Sequence, residues 1–303
     1  MIFKSLIENE NTNIYFNEWS KYRQTVTSYI MESIMSNPSM SIGKKCDKPS
    51  LAIWGAGQCN DIDISLLSDY FKLVLIDCEQ EKINEARSKY INNNSCICTD
   101  IPFWNIDHEA YELFESMLID ALPVENITRY IDEYMNSQHT IKYDELPKFD
   151  YSIAVGLSSQ LCSRFIALLS NYKSNYNNNE LDFLYNYFSS LNKAAVKSML
   201  EALKKMTSGL IIIGYEIKAY NNDFKMEQQD LKYFSGFLHS SGLHFDNSLM
   251  KSSVSGNDIL QNELYSLLCV TKKYVLAEQN FFVWNFNKYK HYLMHLVSLS
   301  LLN

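Results

Sequence analysis

The segment from Leu51 to Asp77 constrains the fold more than any other part of the chain. An apolar run, 51–54, leads into a loop with Gly55 and Gly57, and a second apolar run ends in Asp77. This order predicts a strand, a glycine loop, a helix, a second strand and an acid. Glycines let the backbone turn sharply and approach a ligand closely, and an acid after the second strand can accept the hydroxyls of a ribose. The segment therefore predicts a pocket for an adenosine-containing cofactor.

Strands and helices alternate over the rest of the chain. Apolar runs predict strands at 51–54, 73–77, 95–99, 151–156 and 209–217. Helical spacing predicts helices at 61–70, 80–90, 108–137, 158–169, 191–206 and 226–241. Alternation of this kind indicates an α/β fold with a doubly wound, mostly parallel sheet and helices on both faces. Residues 281–284 and 292–301 suit a closing antiparallel hairpin, with helix as the alternative for the last segment.

Two regions are predicted to lie outside the regular alternation. Apolar and aromatic residues spaced by two to four predict helices in 1–46, which we interpret as an N-terminal helical extension or lid. The remainder, 47–303, is predicted to form the cofactor-binding domain, with a helical insertion at about 170–192. Within it, the polar tract 171–180 is predicted to be a surface insertion or flexible loop.

Charge and hydropathy limit the partners. The chain of 303 residues carries a formal net charge of -8 and has a pI near 5.3, which argues against a bulk nucleic-acid binder. It has no run of about 18 uncharged apolar residues and no apolar signal-peptide core. We expect a cytoplasmic protein without a membrane partner that acts on a small molecule or peptide. No oligomeric state is predicted.

Cysteine and histidine spacing indicates neither disulfides nor a metal. The seven cysteines include no CxxC pair, so reduced thiols are expected. His291 and His295 stand four residues apart but have no third ligand nearby in the sequence, and no metal site is predicted.

The loop after the first strand favours one cofactor class over another. A dinucleotide loop, G-x-G-x-x-G, would place glycine at position 60, where this chain has Asn60. Asp61 and Asp63 stand where a pyrophosphate would meet the helix N-terminus, and two carboxylates would repel it. Either acid is also suited to capping the helix, and for Asp63 we favour that role. S-adenosylmethionine has no phosphate, so the sequence favours it.

The acid after the third strand adds support. Asp100 and Ile101 follow the segment 95–99, where a doubly wound sheet places a side chain beside a bound adenine. The alternative for Asp100 is an N-cap.

With these residues in order, the chain resembles the class I S-adenosylmethionine-dependent methyltransferases over about 50–217. The resemblance implies a Rossmann-like domain of seven strands whose last pair is antiparallel. It also implies that the glycine loop contacts the methionine part of the cofactor, the acid after strand two the ribose, and the acid after strand three the adenine, while the end of strand four faces the sulfonium. In this sequence those residues are, in that order, Gly55, Ala56 and Gly57; Asp77; Asp100 with Ile101; and Gly156, Leu157 and Ser158. The predicted cofactor set is completed by Asn60, Asp61 and Cys78.

The chain also departs from the family pattern. Ile53 replaces an acid common before the first glycine, Cys59 replaces the third loop glycine, and strand four lacks the Asn/Asp-Pro-Pro-Tyr signature of amino-methylating nucleic-acid enzymes. The predicted function is methyl transfer from S-adenosylmethionine to a small molecule or peptide. The alternatives are an enzyme that transfers the aminobutyl portion, an NAD-dependent oxidoreductase, or a non-catalytic protein with a degenerate pocket.

Four residues are candidates for the substrate side. Trp19 and Tyr22 lie on one face of a predicted helix with Arg23 beside them. They suit either packing on the sheet with Arg23 solvated, or a lid in which Arg23 pairs with the carboxylate of the cofactor. Tyr215, with Glu216, follows the fifth apolar run and is predicted to border the pocket, whereas an ordinary surface role suits Glu216 equally. No catalytic base is identified.

Overall fold

A computed structural model describes residues 2–9, 12–36, 48–90, 96–99, 108–137, 148–221, 224–241, 245, 254 and 256–302. The α-helices in these ranges are α1 (Ile2–Asn9), α2 (Ser20–Met35), α3 (Ile64–Tyr70), α4 (Gln80–Tyr90), α5 (His108–Ile119), α6 (Val124–Ser137), α7 (Ser163–Asn171), α8 (Asn178–Met206), α9 (Phe224–Ser241) and α10 (Asn257–Tyr265). The strands are β1 (Ser50–Trp54), β2 (Lys72–Ile76), β3 (Cys96–Thr99), β4 (Phe149–Val155), β5 (Thr207–Asn221), β6 (Tyr274–Asn285) and β7 (Lys290–Leu301).

The strands form one mixed sheet in the order β3-β2-β1-β4-β5-β7-β6. Neighbours from β3 to β5 are parallel, whereas β7 is antiparallel to both β5 and β6. The predicted α/β class and the mostly parallel sheet are therefore confirmed, and so is the closing hairpin. Helix for residues 292–301 is wrong, because β7 lies between two strands and its apolar run is buried on both faces.

Helices cover both faces of the sheet. Along β5, Leu210 and Ile212 pack on the face covered by α2 and α3, while Ile211 and Ile213 pack on the face covered by α8 and α10. This alternation follows from the two-residue period of a strand. Each face thus has its own apolar core, and the carboxyl ends of β1, β4 and β5 lie at one edge between them.

Helix α2 shares a core with the sheet. Val26, Ile30 and Ile34 are fully buried in the cluster that also contains Leu51 and Leu73. A network of hydroxyl groups also fastens this helix to the C-terminal hairpin. In it, the Ser298 hydroxyl lies 2.9 Å from the hydroxyls of both Tyr29 and Ser33, the Tyr29 hydroxyl donates to the Glu278 carbonyl, and the Ser33 hydroxyl donates to the Glu278 carboxylate.

A separate apolar cluster joins α1, α5, α6, α7 and the first half of α8. Helix α8 begins at Asn178, earlier than the predicted start at 191, so the tract 171–180 is not a long loop. The reason is a capping box: the Asn177 side chain accepts from the Glu180 N–H at 3.1 Å, and the Glu180 carboxylate accepts from the Asn177 N–H at 2.8 Å.

Other boundaries also differ from the predictions. The helix predicted at 108–137 is two helices, because Ala121 adopts a left-handed conformation, with φ of 48°, and Pro123 follows. The helix predicted from 158 begins at Ser163, and β5 extends to Asn221. Helix α10 was not predicted. None of the helices in the described ranges is long and apolar enough to span a bilayer.

Candidate functional site

The loop after β1 turns through three left-handed residues. Gly55, Gly57 and Cys59 have φ values of 67°, 49° and 50°. Cys59 stands where the family pattern has its third glycine and adopts the conformation that a glycine would favour, at a cost of roughly 1–3 kcal/mol. Its N–H donates to the Ala56 carbonyl at 2.8 Å, which closes the turn. Position 59 therefore has a left-handed backbone although it holds a cysteine.

The two glycines of this loop have different surroundings. A Cβ on Gly55 would lie 2.6 Å from Leu157 Cδ1, so the loop after β1 packs closely against the loop after β4. A Cβ on Gly57 would meet no atom within 4 Å of the described residues. The open side of the loop is thus at Gly57, where a ligand can approach the backbone.

Asp77 holds the glycine loop in place. Its Oδ2 accepts from the Gly57 N–H at 2.8 Å, and its Oδ1 accepts from the Glu79 N–H at 2.9 Å. Each carboxylate oxygen keeps a second lone pair that can accept a ribose hydroxyl. Asp77 is half-buried, and Cys78 beside it is exposed. The role of both residues toward a cofactor stays a prediction.

The N-terminus of α3 already has an anionic partner. Asp63 is its N-cap and accepts from the Leu66 N–H at 3.1 Å, which confirms the capping role predicted for this residue. The carboxylate occupies the end of the helix where a pyrophosphate would bind in a dinucleotide site.

Asp61 and Arg23 lie next to this helix end. Desolvation raises the pKa of the partly buried Asp61 to about 6, while the positive charge of Arg23 opposes that rise. Arg23 Nη1 donates to the Asn60 carbonyl at 2.9 Å and to the Phe16 carbonyl at 3.1 Å. The guanidinium also lies 3.8 Å from the centre of the Phe16 ring. The solvated role for Arg23 is therefore wrong: it ties the N-terminal segment to the glycine loop.

Trp19 and Tyr22 pack on the C-terminal hairpin. Tyr22 stacks on Trp284 with ring centroids 4.5 Å apart, and Trp19 Nε1 donates to the Phe286 carbonyl at 2.8 Å. This is the packing role that the amphipathic pattern predicts, and the lid role stays a prediction. The Tyr22 side chain is 5% exposed, and its hydroxyl has no hydrogen-bond partner among the described residues.

A buried carboxylate, Glu216, lies beside the end of β4. Its Oε1 is 3.8 Å from the position a Cβ would take on Gly156, whose φ is 65°. Asn257 Nδ2 donates to Glu216 Oε2 at 2.8 Å, and the Ser159 hydroxyl donates to Oε1 at 3.2 Å. Glu216 is 4% exposed, so an ordinary surface role is wrong. Burial raises its pKa, against the effect of these two hydrogen bonds and of Lys290.

Tyr215 lies on the opposite face of β5 from the predicted pocket. It is fully buried in the core covered by α8 and α10, and its hydroxyl is 2.8 Å from His295 Nδ1. Adjacent strand residues point to opposite faces, so Glu216 lies on the other face of β5, toward α2.

Some of the other predicted site residues lie in the described ranges, and the rest lie outside them. Gly156, Leu157 and Ser158 form the loop at the end of β4, facing the glycine loop, and the Ser158 hydroxyl donates to Asn257 Oδ1. Ala56 and Asn60 are buried within the glycine loop. Asp100 and Ile101 lie outside the described residues, and their role toward adenine stays a prediction.

Asn257 was not identified from the sequence. It is the first residue of α10, preceded by Gly256 with φ of 84°. A turn residue and an amide before the apolar positions Ile259, Leu260 and Leu264 are a helix-start signal that indicates α10. No spacing in the sequence, however, relates residue 257 to residue 216.

The two histidines of β7 have protein partners. His291 Nδ1 lies 2.6 Å from the Glu227 carboxylate, and His295 Nε2 lies 3.1 Å from Gln279 Oε1. Burial lowers the pKa of His295 to about 3, so it is neutral. Within the described ranges, no three histidine, cysteine or acidic residues are placed to hold a metal ion.

Solved structures of similar shape are S-adenosylmethionine-dependent methyltransferases. One from Methanosarcina mazei is 11% identical, with 85% of this chain and 94% of that chain covered and a TM-score of 0.38. The N-methyltransferase NodS from Bradyrhizobium japonicum, in complex with S-adenosylhomocysteine, is 8% identical, with 93% and 88% covered and a TM-score of 0.39. The plantazolicin methyltransferase BpumL, also in complex with S-adenosylhomocysteine, is 11% identical, with 99% and 89% covered and a TM-score of 0.39.

No protein-family model matches the sequence, and no curated protein is significantly similar to it. Likenesses at TM-scores below 0.5 do not by themselves assign a function to the chain. The function has to come from the residues at the carboxyl edge of the sheet.

Proposed function

We propose that the chain is an S-adenosylmethionine-dependent methyltransferase that acts on a small molecule or peptide. The observation that carries the proposal is the pairing of a left-handed glycine loop with a helix whose N-terminus is capped by Asp63. The loop suits a nucleoside cofactor, and the capping carboxylate disfavours one with a pyrophosphate. S-adenosylmethionine meets both conditions.

The residues present fit this cofactor. The open side of Gly57 admits the methionine part, Asp77 keeps lone pairs for the ribose, and Asp61 offers a carboxylate for the ammonium group. When bound, S-adenosylmethionine supplies a methyl group on a positively charged sulfur, which makes the methyl carbon electrophilic. The chain itself has to align the acceptor with that carbon and exclude water. Arg23 ties the segment that carries Trp19 and Tyr22 to the glycine loop, and in this proposal the two aromatic side chains supply an apolar cover for the cofactor.

Two features weigh against the alternatives. An NAD-dependent enzyme of the dinucleotide-binding fold would have a parallel strand order, 3-2-1-4-5-6, whereas here the antiparallel β7 lies between β5 and β6. A degenerate pocket would have no need to keep position 59 in a strained left-handed conformation, which Cys59 nevertheless adopts.

Calorimetry with S-adenosylmethionine, S-adenosylhomocysteine and NAD tests the proposal. We expect the first two to bind and NAD not to bind. Asp77→Ala should weaken binding by roughly 10- to 150-fold, which corresponds to the loss of about 1.5–3 kcal/mol for one hydrogen bond to a charged group. Asp69→Ala is the matched control, because Asp69 is an exposed acid on α3 and its removal should leave the affinity unchanged.

Two results would contradict the proposal. Failure of the wild-type chain to bind either S-adenosyl compound overturns it, and tight binding of NAD alone favours the oxidoreductase. If the cofactor binds, mass spectrometry after incubation with an extract of the source cells should show a product heavier by one methyl group.

A further inference from the structure

We propose that the tip of the C-terminal hairpin, residues 282–292, binds the methyl acceptor, and that this acceptor is a small organic anion. It carries a carboxylate or phosphate group on an apolar or aromatic body. The inference rests on the proposed function and deepens it, because it gives the acceptor a charge and a size.

The hairpin tip lies at the carboxyl edge of the sheet. Strand β5 ends at Asn221, and this residue pairs with Lys290 at the start of β7. The hairpin tip therefore extends from the same edge as the loops after β1 and β4, where ligands bind in an open α/β sheet. Lys290 is also close enough to Glu216 for its positive charge to act on that carboxylate. The hairpin tip thus adjoins the proposed site.

The hairpin tip is positively charged, in a chain whose formal net charge is -8. Residues 282–292 contain Lys288, Lys290 and His291 but no acidic residue. His291 Nδ1 lies 2.6 Å from the Glu227 carboxylate, whereas neither lysine forms an ion pair with a residue that the structure describes. A positive patch on an acidic protein attracts anions selectively, because the rest of the surface repels them.

Aromatic rings hold the two lysines without neutralising them. The Lys288 ammonium lies 4.6 Å from the centre of the Tyr289 ring, and the Lys290 ammonium lies 4.9 Å from that of Tyr292. A ring attracts a cation through its quadrupole but has no net charge, so the cation can still pair with an anion. Asn287 Oδ1 closes the turn, because it accepts from the N–H groups of Tyr289 and Lys290, both at 2.9 Å. An ordered turn therefore presents the two lysines.

A row of aromatic rings leads from Lys290 toward α2. The Tyr292 ring centroid lies 5.6 Å from that of Trp284, which in turn stacks on Tyr22 at 4.5 Å. Tyr292 is half-buried, so the outer end of the row reaches solvent. Aromatic side chains commonly line sites for flat or apolar ligands. An acceptor with an anionic group at Lys290 and an apolar body along the row would suit both features.

Two buried polar atoms in this row lack partners. Trp284 is 6% exposed and Tyr22 is 5% exposed. Neither the Trp284 indole N–H nor the Tyr22 hydroxyl has a hydrogen-bond partner among the described residues. Buried polar groups are nearly always hydrogen-bonded in native proteins, so these two atoms indicate a further polar group at this place. An indole N–H can only donate, and the group that completes the site therefore has to accept a hydrogen bond.

Charge sets the direction in which the acceptor lies. The carboxylates of Asp61 and Glu216 are close enough to the Tyr22 hydroxyl for their charges to act on it. An anionic group would be repelled at that end of the row and attracted at the end with the two lysines. The neutral end of the acceptor therefore lies toward Tyr22 and the glycine loop, where the proposed cofactor binds.

The number of cations limits the size of the acceptor. Nucleic acids are bound through many phosphate contacts, each of which needs a Lys or Arg nearby. Two lysines on a chain with a net charge of -8 cannot offset the repulsion of a polyanion. A single carboxylate or phosphate group, by contrast, matches two ammonium groups.

The charge of the acceptor is tested first. An extract of the source cells is passed through a membrane that retains proteins and nucleic acids, and the filtrate is applied to an anion-exchange resin at neutral pH. Each fraction is incubated with the protein and S-adenosylmethionine labelled in the methyl group. We expect the label to enter a compound that the resin retains. Label confined to the flow-through, or to the macromolecules that the membrane retains, overturns the inference and leaves the proposed function standing.

The lysines are tested by removing their charge. Lys288→Gln with Lys290→Gln removes two charges from the hairpin tip, and Lys272→Gln with Lys273→Gln removes two exposed charges next to the other end of β6. With the retained fraction as substrate, kcat/KM should fall roughly 2- to 30-fold in the first variant, the range for two exposed ion pairs, and stay unchanged in the control. The loss should appear in KM, and the wild-type KM should rise with salt. Equal values in all three proteins would contradict the role of the lysines.

Direct binding decides the matter if the cofactor binds but no transfer is detected. Phenyl phosphate and benzoate are titrated into nitrogen-15-labelled protein saturated with S-adenosylhomocysteine, with benzyl alcohol as the neutral control. The Trp284 indole resonance, assigned from Trp284→Phe, should shift with both anions and not with the alcohol. The double lysine variant should need more anion for the same shift. A resonance that stays in place shows that solvent alone completes the site, and overturns the inference.

The two proposals fail in different ways. A wild-type chain that binds neither S-adenosylmethionine nor S-adenosylhomocysteine overturns both. Cofactor binding together with an uncharged acceptor overturns only the proposal for the hairpin tip.

Discussion

Two glutamates, Glu115 in the helical cluster and Glu216 in the sheet, are both buried, but their carboxylates have different hydrogen-bond partners. Glu115 is 0% exposed in the helical cluster, where it accepts from the N–H groups of Ile2 and Phe3 and from the Tyr172 hydroxyl. The first N–H groups of a helix have no partner within the helix and carry its positive dipole end, so Glu115 satisfies α1 and fastens it to α5. Glu216 is 4% exposed and is held by side-chain groups at the carboxyl edge of the sheet.

The difference lies in the partners rather than in the burial. The carboxylate of Glu115 accepts from backbone N–H groups at the start of α1, which would otherwise lack hydrogen-bond partners. That of Glu216 accepts hydrogen bonds from the side chains of Asn257 and Ser159, next to the left-handed Gly156. A buried acid is therefore best interpreted from the groups that satisfy it and from its distance to the strand ends.

The largest expected effect is a loss of stability when the Glu115 side chain is removed. Glu115→Ala leaves two backbone N–H groups and a hydroxyl without their acceptor, and should lower the free energy of unfolding by about 2–4 kcal/mol. Urea denaturation followed by circular dichroism measures this loss. Glu216→Gln should unfold close to the wild-type midpoint, because glutamine can still form hydrogen bonds with Asn257 and Ser159. A stable Glu115→Ala protein, or a Glu216→Gln protein that is equally destabilised, would contradict the distinction.

A smaller effect extends the comparison to a third acid, Asp61, at the same edge as Glu216. Its folded pKa of about 6 is above the unfolded value of about 3.9, so the native state binds the proton more tightly. Its contribution to stability is therefore present below about pH 4 and is lost as the pH rises through 6. Because the residue is partly exposed, we expect Asp61→Asn to stabilise the protein by only about 1 kcal/mol at pH 8. Equal melting shifts at pH 4 and pH 8 would argue against this linkage.

The smallest expected effects concern two glycines, one in the glycine loop and one in a helix. An added Cβ at either would meet no atom of the described residues within 4 Å. Gly57 has φ of 49° in the glycine loop, whereas Gly236 lies exposed within α9. Gly57→Ala should destabilise the protein by about 1 kcal/mol and weaken S-adenosylhomocysteine binding, because the new methyl group occupies the open side of the loop. Gly236→Ala should stabilise it by roughly 0.5–1 kcal/mol without any change in binding. Opposite shifts in thermal melting, with calorimetry on both variants, test this pair.

The local parts of the site could be predicted from sequence. The order from Leu51 to Asp77 gave correct strands on both sides of the loop, because burial on both faces makes parallel strands continuous apolar runs. The capping role of Asp63 is likewise a matter of a few neighbouring residues. Asp77 has a further role that was not predicted: it accepts a hydrogen bond from the N–H of Gly57, twenty residues earlier in the chain.

The long-range parts could not be predicted. Glu216 looked like a surface acid because it follows the apolar residues 210–213, and a lone carboxylate in a sequence is usually solvated. Its partner Asn257 lies 41 residues further on, and only the packing of α10 brings the two together. The start of α8 was missed for a different reason: its capping box between Asn177 and Glu180 is local, but it lies in a polar, asparagine-rich tract that was interpreted as a loop.

The attachment of α2 to the C-terminal hairpin affects the order in which parts of the protein fold during synthesis. The hydrogen bond between Ser298 and Tyr29 joins residues 269 positions apart, and Trp19 reaches Phe286 across 267. During synthesis, α2 emerges from the ribosome long before β6 and β7, so these contacts cannot form until almost the last strand has been made. Because the same N-terminal segment clamps the glycine loop through Arg23, the cofactor site should be among the last parts of the molecule to form. A nascent chain released before β7 would carry Arg23, the glycine loop and the acids, but not the strand to which α2 is hydrogen-bonded.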